Sequence, residues 1–532
     1  MSLNHKPYQS IKHFSALLSD YLDEKELLKS LYHRFPKIEN FNDQILEKQS
    51  EWSNSQEKRE LLSDVLLDQY AFIEDKQESI QNITLLRDQA TYTVTTGHQL
   101  NLFTGPLYFL YKIISTINLC QQLQQEYPAF HFVPVYWMAT EDHDFEEIQY
   151  FNYSDKKVVY NREATGGVGR LSTDGLEDVL AVFKDLLGKH DHALEVLSLF
   201  KKGYVEHKNL ADATRAIAHE LFKKEGLVII DADNERLKSL AIPYFKEELV
   251  SKASFNAVSK TLETWPDQYK VQVNPREINL FYLTGDYRKR IIEKDGTYHI
   301  DEIGISFTQD EILKELETYP ERFSPNVIMR PLYQEVILPN LCYIGGGGEI
   351  AYWLELKGYF DSLQVTFPIL LLRNSALLIT NKQLDKLEKM SLEVWDLFEE
   401  DHTITTQLTH KISAIEIDFS EQKQHLKQQF VALHQLATQT DPSFENAVKA
   451  QEHKQIKGLE HLENRLLKAQ KRQLQDHLER ALQLKKELFP NGSLQERHTN
   501  FSVLYQEYGP EFIHNLKEHL DPLDLRFTLI QL

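Results

Sequence analysis

The first 88 residues place hydrophobic side chains at the three- and four-residue spacing of amphipathic helices. One such face is formed by Ile11, Phe14, Leu17, Leu18 and Tyr21, and the pattern continues over residues 61–86. Side chains at this spacing share one helical face, which must be buried against another element. We therefore expect residues 1–90 to form a helical segment that packs on a core.

From residue 91 the hydrophobic period changes and predicts a βαβ unit. Residues 92–96 form a short β-type run that ends at Gly97, and a glycine loop at residues 104–106 opens a long apolar helix from residue 107. Pro106 suits the first helical turn, where its missing N–H costs nothing. Residues 132–139 form a continuous apolar run, which is typical of a buried parallel strand.

Further apolar runs predict more strands of the same sheet, at residues 227–230, 327–329 and 366–372. Each run ends in polar or glycine-rich residues. Ligands of an open α/β sheet bind beyond the carboxyl ends of the strands, so these ends should form a common cleft. Residues 151–205 and 255–325 carry short alternating runs mixed with helices, and we expect them to be insertions.

Glycine is nearly absent between residues 376 and 488, and leucines recur there among Lys, Glu, Gln and Arg. This pattern predicts a long antiparallel helical hairpin that ends at Pro490. Residues 525–530 are strand-like and are expected to return to the sheet. The resulting division is 1–90 (helical segment), 91–150 (α/β core), 151–205 (first insertion), 206–254 (core), 255–325 (second insertion), 326–375 (core with glycine loop), 376–489 (antiparallel coiled coil) and 490–532 (return to the core).

Composition excludes several classes of function. A formal charge of -21 opposes binding to nucleic acid phosphates, which requires a basic face. No apolar run reaches the roughly 20 residues that span a bilayer, and the first residues lack the apolar stretch of a secretion signal. Cys120 and Cys342 are the only cysteines, which excludes a thiolate zinc site and suits a reducing compartment. We expect a soluble cytoplasmic protein with no resident metal and no nucleic acid or membrane partner.

Polar side chains follow the first strand and its glycine loop. His98 could donate to a phosphate or to a leaving group, and the same βα corner contains Gly97, Gln99, Thr104 and Gly105. Tyr108 and Lys112 are four residues apart on the following helix and share a face. The structural alternatives are a histidine that caps the strand end and a lysine at a solvated helix end.

The second strand ends in the densest polar cluster of the chain, Glu141, Asp142, His143 and Asp144. Such a cluster could orient a base, hold Mg²⁺ beside a nucleotide, or bind the ammonium group of an amino acid. Zinc is less favoured, because no second motif with ligand spacing accompanies it. A solvated acidic loop is the structural alternative.

Two arginines follow later strands. Arg330 with Gln334, and Arg373 with Asn374, could bind a carboxylate or a phosphate through the guanidinium group. A structural ion pair is the alternative for each arginine.

Four consecutive glycines, Gly345 to Gly348, lie between an apolar run and a helix-like segment that opens with Glu349. A strand, a glycine loop and a helix N-terminus in this order direct backbone N–H groups at a cleft and can bind anions. The chain lacks both the Walker pattern and GxGxxG after its first strand, which argues against a Walker-type NTPase and a dinucleotide oxidoreductase.

Several of these segments resemble, in order, the cysteine-adding ligases of bacillithiol biosynthesis. The resemblance lies in residues 96–99 (TGHQ), 103–108 (FTGPLY), 133–137 (VPVYW), 141–145 (EDHDF), 343–353 (YIGGGGEIAYW), 373–375 (RNS) and 489–497 (FPNGSLQER). It covers essentially the whole chain. It implies a Rossmann-like core similar to class I aminoacyl-tRNA synthetases, connecting-peptide insertions and a coiled coil that pairs two subunits.

The reaction implied by the resemblance joins the carboxyl group of L-cysteine to the amine of glucosaminyl malate. A free carboxylate must be activated before it forms an amide, so we expect ATP, with Mg²⁺, and a cysteinyl adenylate or acyl phosphate. One alternative is a nucleotide-binding scaffold or regulatory module that acts through its coiled coil. Another is a nucleotidyltransferase that releases pyrophosphate without cysteine.

These expectations assign roles to individual residues. The glycine segments would hold phosphates or malate carboxylates, the arginines would bind carboxylates, and the acidic cluster would position amines and accept a proton. Catalysis is assigned to His98, Asp142, His143 and Asp144. Substrate or nucleotide binding is assigned to Gly97, Gln99, Thr104, Gly105, Tyr108, Lys112, Arg330, Gln334, Gly345, Gly346, Gly347, Gly348, Glu349, Tyr352, Arg373 and Asn374.

Overall fold

The computed structural model describes residues 4–532 and divides into two compact units. The first unit contains the chain up to Leu377 together with Gln495–Ile530, and the second contains Leu378–Leu494 with Gln531–Leu532. Within the described residues, no helix combines the length and apolar character needed to cross a membrane.

The N-terminal segment is mainly helical, as its hydrophobic spacing predicts. Helix α1 begins after Ser15, whose hydroxyl accepts a hydrogen bond from the Leu18 amide and so caps the helix. The buried Tyr21 hydroxyl at the other end donates to the Leu370 carbonyl at 2.7 Å, which attaches α1 to a core strand. The elements are β1 (Asn4–Pro7), α1 (Ala16–Leu22), α2 (Asn40–Glu51), α3 (Gln56–Gln69) and α4 (Gln77–Leu85).

The predicted βαβ unit is present. Strand β2 (Thr91–His98) leads through helix α5 (Tyr108–Glu126) to strand β3 (His131–Met138), and the two strands are parallel in register from Thr91 opposite His131 to His98 opposite Met138. Strand β2 is buried along its whole length, which explains its nearly uninterrupted β-type pattern.

The first predicted insertion consists of a short antiparallel hairpin and helices. Its elements are α6 (Phe145–Ile148), β4 (Tyr150–Tyr153), β5 (Lys156–Val159), α7 (Leu176–Leu186), α8 (Ala193–Phe200) and α9 (Leu210–Phe222). The chain then forms β6 (Val228–Asp231), α10 (Glu235–Ser239), α11 (Ile242–Ser251) and α12 (Ala253–Glu263).

The second predicted insertion contains an antiparallel sheet with the strand order β10-β9-β8-β7-β11. Its elements are β7 (Leu280–Leu283), β8 (Arg288–Lys294), β9 (Thr297–Ile300), β10 (Ile305–Thr308), α13 (Gln309–Thr318) and β11 (Phe323–Pro325).

The strand predicted at residues 327–329 is wrong. The Asn326 side chain accepts hydrogen bonds from the amides of Ile328 and Met329 and starts helix α14 there, a capping signal that the apolar run concealed. Arg330 therefore lies in the first turn of a helix. The following elements are α14 (Met329–Ile337), β12 (Asn340–Gly345), α15 (Gly347–Glu355), α16 (Lys357–Ser362), β13 (Ile369–Leu372) and β14 (Ala376–Ile379).

The core sheet has the order β13-β12-β2-β3-β6, and all of its strands are parallel. Tyr343 of β12 lies opposite Thr95 of β2, and Trp137 of β3 lies opposite Ile230 of β6. The carboxyl ends of these strands consequently meet at one edge of the sheet, where a ligand cleft is expected.

The second unit contains the predicted helical hairpin, formed by α19 and α20. His434 of α19 is 2.7 Å from Glu452 of α20, and Lys423 is 2.7 Å from Glu463, so residue numbers rise on one helix as they fall on the other. The helices are therefore antiparallel. The α-helices of the second unit are α17 (Asn381–Lys389), α18 (Asp401–Ile412), α19 (Ser420–Ala437), α20 (Pro442–Gln473) and α21 (Gln475–Leu488).

The C-terminal strand forms as predicted but does not join the core sheet. The chain ends with α22 (Ser502–Tyr508), α23 (Pro510–His519) and β15 (Arg526–Gln531). Strand β15 pairs antiparallel with β1, with Lys6 opposite Phe527, so the expected return to the core sheet is wrong. Alternation along a strand determines which side chains share a face, but it does not choose the hydrogen-bonded neighbour.

Candidate active site

A cavity of about 430 Å³ opens at the carboxyl edge of the core sheet, entirely within the first unit. It brings together a large part of the predicted site: Gly97, His98, Gln99, Tyr108, Lys112, Arg330, Gly346, Gly347, Gly348, Glu349, Tyr352 and Arg373. Trp137, Ala139, Val327, Tyr343 and Arg497 also line it, although they were not predicted as site residues. Residues far apart in sequence thus meet as the parallel topology requires.

The glycine loop is organised by Glu349. Its carboxylate accepts hydrogen bonds from the Gly346 amide at 2.9 Å and the Tyr343 hydroxyl at 2.6 Å, and it pairs with the Lys112 ammonium at 2.5 Å. Burial raises the pKa of Glu349, but the Lys112 ammonium and these donors outweigh it and leave the pKa below its usual value. Glu349 therefore holds the loop, and the Gly346 amide is already satisfied.

Two glycines of the loop remain for an anion. Gly347 and Gly348 open helix α15, and their N–H groups precede the intrahelical hydrogen bonds. A Cβ on Gly347 would lie 3.0 Å from Leu18 Cδ2, whereas a Cβ on Gly348 would meet no protein atom within 4 Å. Neither has a positive φ. Glycine at position 348 therefore leaves open space at the cavity wall.

Lys112 is buried and lies behind the glycine loop. Besides pairing with Glu349, its ammonium donates to the Gly97 carbonyl at 2.7 Å. Burial lowers the pKa of Lys112, and the Glu349 carboxylate opposes this effect. The lysine thus joins the end of β2 to the first turn of α15, and Glu349 compensates its charge.

His98 is a buried, neutral imidazole at the end of β2, with 7% of its surface exposed. Burial lowers its pKa to about 3, and the nearby Lys112 ammonium acts in the same direction. Its Nε2 has no hydrogen-bond partner among residues 4–532. Tyr108 and Phe109 pack against the ring with centroid distances of 5.4 and 5.1 Å. The imidazole can therefore offer a neutral polar group to a ligand.

Arg330 is half-buried and is the cation of this wall whose partners are all neutral. Its guanidinium donates to Gln334 Oε1 at 2.9 Å and to the Tyr352 hydroxyl at 3.5 Å. The ring centroids of Trp137 and Tyr343 lie 5.7 and 5.5 Å from its central carbon. Within residues 4–532 no carboxylate approaches it to ion-pair distance. Gln334 does not line the cavity but is fully buried and positions the guanidinium.

Arg373 differs from Arg330, because it is already neutralised. It pairs with the fully buried Glu496 at 2.7 Å. Asn374 points away from the cavity and bonds to Ser115 Oγ at 2.8 Å and to the Asp521 carbonyl at 2.7 Å. The Arg373 side chain therefore forms a structural ion pair, which is the alternative to binding a ligand. Arg497, which also lines the cavity, is exposed at its rim.

Thr104 and Gly105 shape the βα corner without lining the cavity. Both have positive φ, 67° and 65°, and a Cβ on Gly105 would lie 2.7 Å from Asn101 Cβ. The Asn500 amide donates to the Gly105 carbonyl at 2.6 Å. Glycine at position 105 thus serves a tight turn. Gly345, the last residue of β12, likewise lies outside the cavity lining.

Two residues of the acidic cluster, Glu141 and Asp142, line a second, smaller cavity, whereas His143 and Asp144 line neither this cavity nor the main one. The smaller cavity has a volume of about 180 Å³. Gln99 lines the main cavity and links it to the small one, because its amide donates to Asp142 Oδ2 at 2.9 Å. The same amide donates to Glu147 Oε2 at 3.0 Å. Asp144 instead caps α6 by accepting a hydrogen bond from the Glu147 amide.

His143 is held by an arginine of strand β8. Arg288 Nη1 lies 3.0 Å from His143 Nδ1. A guanidinium can only donate, so Nδ1 must be the acceptor and the neutral ring carries its proton on Nε2. Burial lowers the pKa of His143, and the Arg288 charge lowers it further. This imidazole is therefore better suited to donate a hydrogen bond than to accept a proton.

The main cavity is electropositive in an acidic protein. Lys112, Arg330, Arg373 and Arg497 line it against the single carboxylate of Glu349, whereas the whole chain carries a formal charge of -21. Cations confined to a concave wall attract small anions and hold them more strongly than an exposed surface would.

Comparison with known proteins identifies the family. Residues 1–374 match the family described as "Bacillithiol biosynthesis BshC, N-terminal Rossmann-like domain", and residues 376–532 match "Bacillithiol biosynthesis BshC, C-terminal coiled-coil domain". This chain belongs to the bacillithiol biosynthesis BshC family. Membership confirms the resemblance, the Rossmann-like core and the coiled-coil region, and it makes the chain a ligase enzyme.

Individual members of the BshC family match along nearly the whole chain. Proteins of Flavobacterium johnsoniae and Christiangramia forsetii, both named "Putative cysteine ligase BshC", are 56% and 55% identical. The matches cover 98% and 100% of this chain and 98% and 99% of those proteins. A Bacillus cereus protein of the same name is 26% identical over 97% of this chain and 98% of its own length.

In this BshC-family chain, the unpredicted lining residues share one property: no local pattern marks them. Trp137 and Tyr343 lie inside strands, where an aromatic side chain is normally explained by the core. Val327 was assigned to a strand that does not form. Arg497 follows Glu496 in one of the family segments, but its place at the rim depends on Glu496 pairing with Arg373, 123 residues away.

Proposed function

We propose that this chain joins the carboxyl group of L-cysteine to the amine of glucosaminyl malate, the last step of bacillithiol biosynthesis. The observation that carries the proposal is the electropositive cavity at the carboxyl edge of the sheet. It contains the guanidinium of Arg330, which has no carboxylate partner within residues 4–532, and the amides of Gly347 and Gly348. Carboxylates of malate and phosphates of a nucleotide are the anions that such a wall binds. The relatives named as cysteine ligases agree with this substrate class.

Activation of the cysteine carboxylate is assigned to ATP. The proposal has two forms: a cysteinyl adenylate with release of pyrophosphate, or an acyl phosphate with release of ADP. In both, the amine of glucosaminyl malate attacks the activated carbonyl carbon, the amide bond forms, and AMP or phosphate leaves with the amine proton passing to a base. The N–H groups of Gly347 and Gly348 and the rim guanidinium of Arg497 would hold the nucleotide phosphates.

Mg²⁺ enters the proposal with the nucleotide. Residues 4–532 contain no group of three His, Cys, Asp or Glu side chains arranged to hold a metal. In nucleotide sites Mg²⁺ is bound largely through substrate phosphates and water, so the chain would need only one or two carboxylates.

Direct product analysis tests the proposal. Purified protein is mixed with L-cysteine, glucosaminyl malate and ATP, with and without Mg²⁺, and the products are identified by mass spectrometry. We expect a thiol conjugate together with AMP or ADP, which also separates the adenylate from the acyl phosphate. Absence of the conjugate under both conditions would reject the assignment. Cysteine-independent release of pyrophosphate would instead support a nucleotidyltransferase.

A matched pair of arginine variants tests the role of the cavity. Arg330→Gln removes the uncompensated guanidinium, and we expect a loss of catalytic efficiency of roughly tenfold or more, the scale of one charged hydrogen bond. Arg526→Gln is the control, because Arg526 is about half exposed and pairs with Asp524 away from the cavity. Equal activity of both variants would exclude Arg330 from substrate binding.

We further propose a homodimer through the helical hairpin. Several apolar side chains of α19 and α20 are exposed within the second unit, namely Val431, Leu433, Leu436, Phe444 and Leu462. Such side chains on antiparallel helices suit burial against a second copy. Sedimentation of the full chain should give twice the monomer mass, and Leu436→Lys should reduce it to the monomer. A monomeric wild-type chain would contradict this.

We also place the protein in the cytoplasm. Cys120 and Cys342 are buried free thiols, as suits a reducing compartment.

A further inference from the structure

The small cavity beside the main one has the dimensions of a small amino acid. Its volume is about 180 Å³, against about 430 Å³ for the main cavity. Trp137, Ala139, Val327 and Arg330 line both cavities, so the two adjoin at these side chains. The smaller cavity therefore suits a small amino acid better than a nucleotide or a sugar conjugate.

Charges in the small cavity are arranged for a zwitterion. Asp142 accepts hydrogen bonds from the Gln99 amide and the His143 backbone, but within the described chain no Lys or Arg comes within ion-pair distance of it. Glu141, by contrast, is paired with the buried Lys238. Asp142 therefore has no direct ion pair with a Lys or Arg in residues 4–532, although Arg288 lies in the same cavity wall, and its carboxylate can accept a further hydrogen bond.

The two arginines that line the small cavity, Arg288 and Arg330, differ in their partners. Arg288 donates to three neutral acceptors, Ser324 Oγ, His143 Nδ1 and the Pro325 carbonyl, and is thereby built into the wall. Arg330 lies where the cavities adjoin and has only neutral partners in the described chain. A carboxylate bound to Arg330 would thus face the main cavity, while an ammonium bound to Asp142 would remain in the small one.

We propose that the small cavity is the cysteine subsite, with Asp142 binding the α-ammonium group and Arg330 binding the carboxylate at the junction of the two cavities. This inference rests on the proposed function. The thiol would lie against the apolar side chains of Trp137, Met138 and Val327, which also line the small cavity. The amine of the second substrate and the nucleotide would approach from the main cavity.

The placement accounts for the geometry of bond formation. The activated carbon belongs to the group at the junction, so ATP and the attacking amine both reach it from the main cavity. Attack forms the C–N bond, the C–O bond to the AMP or phosphate group breaks, and the oxygen leaves with the bonding electrons. The cysteine ammonium stays protonated against Asp142, so this amine does not act as a nucleophile and cannot couple to a second activated cysteine.

Fragment binding to the wild-type full chain tests the subsite without any variant. Isothermal titration calorimetry compares L-cysteine with 3-mercaptopropionate, which lacks the ammonium group, and with cysteamine, which lacks the carboxylate. We expect both fragments to bind about tenfold or more weakly than cysteine, the scale of one charged hydrogen bond. Equal binding of cysteine and 3-mercaptopropionate would overturn the ammonium assignment.

A pair of isosteric variants assigns the contact. Asp142→Asn keeps an acceptor for Gln99 and removes the charge, so it should weaken cysteine about tenfold and leave 3-mercaptopropionate unchanged. Glu147→Gln is the control, because Glu147 shares the Gln99 donor but lines neither cavity. An equal loss for cysteine and 3-mercaptopropionate in Asp142→Asn would show a structural effect and refute the contact, as would unchanged cysteine binding.

The inference and the proposed function fail in different ways. If the Asp142→Asn variant forms the amide with an unchanged KM for cysteine, the cysteine subsite is refuted and the ligase assignment stands. If the wild-type chain binds cysteine selectively but forms no amide, the subsite is supported and the ligase assignment is refuted. The KM for glucosaminyl malate should not change in Asp142→Asn, because Asp142 does not line the main cavity.

Discussion

Replacement of Gly348 by alanine separates the stability of the glycine loop from its proposed binding role. Gly348 is the second residue of α15 and has a negative φ, so alanine can adopt the same backbone conformation. A Gly→Ala change at a compatible position stabilises a protein by about 0.4–1 kcal/mol, because the unfolded chain loses conformational freedom. The added methyl group meets no protein atom within 4 Å.

The same methyl group should obstruct the anion site. It would stand at the cavity wall beside the N–H groups that are proposed to hold a phosphate or carboxylate. A hydrogen bond to a charged group contributes about 1.5–3 kcal/mol, so its loss would raise KM for the bound anion roughly tenfold to a hundredfold. We therefore expect Gly348→Ala to be slightly more stable and markedly less active.

Urea unfolding and steady-state kinetics on the same preparations provide the assay. KM is measured separately for ATP, glucosaminyl malate and cysteine, and the substrate whose KM rises identifies the anion at the loop. Gly458→Ala, in helix α20 of the second unit and also in open space, is a control for the stability effect. A stable Gly348→Ala variant with unchanged KM for all three substrates would refute anion binding by this loop.

The remaining predictions concern buried ionisable groups. Glu496→Ala leaves the buried Arg373 without its carboxylate and should lower the free energy of unfolding in urea by about 3–5 kcal/mol. Asp361→Ala removes the solvent-exposed partner of Lys357 and should lower it by less than about 1 kcal/mol. Similar losses in both variants would contradict this reasoning. Burial lowers the pKa of His98 from 6.5 to about 3, so the unfolded chain binds the proton first and stability falls as the pH drops from 6.5 towards 3. His98→Gln should therefore make acid unfolding over this range shallower, and an unchanged profile would show that His98 does not titrate as described. Burial raises the pKa of Glu335 from 4.5 to about 7, so its contribution to stability falls as the pH rises from 4.5 to 7. Glu335→Gln should consequently stabilise the protein more at pH 8 than at pH 5, and an equal effect at both values would contradict the reasoning.

Local patterns predicted those parts of the fold whose signal is contained in a few adjacent residues. The apolar run at residues 132–139 and the glycine loop before Glu349 produced a strand and a strand–loop–helix corner as expected. The run at residues 327–329 did not, because the Asn326 side chain caps a helix there. An apolar triplet is compatible with both structures, and the capping side chain decided between them.

The candidate site was only partly predictable for a related reason. His98, Lys112 and the four glycines were recognisable because strand ends and glycine loops mark the cleft of an α/β sheet. Their individual roles were not recognisable. Lys112 and Glu349, which are 237 residues apart, compensate each other, so the lysine that appeared available for a ligand serves mainly to hold the loop.

Sequence alone determined the parallel core and the helical hairpin, and it predicted the edge of the sheet at which ligands should bind, since hydrophobic period and glycine placement act over neighbouring residues. Only the tertiary structure decided which charges remain available. Arg373 pairs with Glu496, whereas within residues 4–532 Arg330 has no carboxylate, and Asp142 no Lys or Arg, at ion-pair distance. Coulomb energies depend on distance and burial in the folded chain, and neither quantity can be obtained from separation along the sequence.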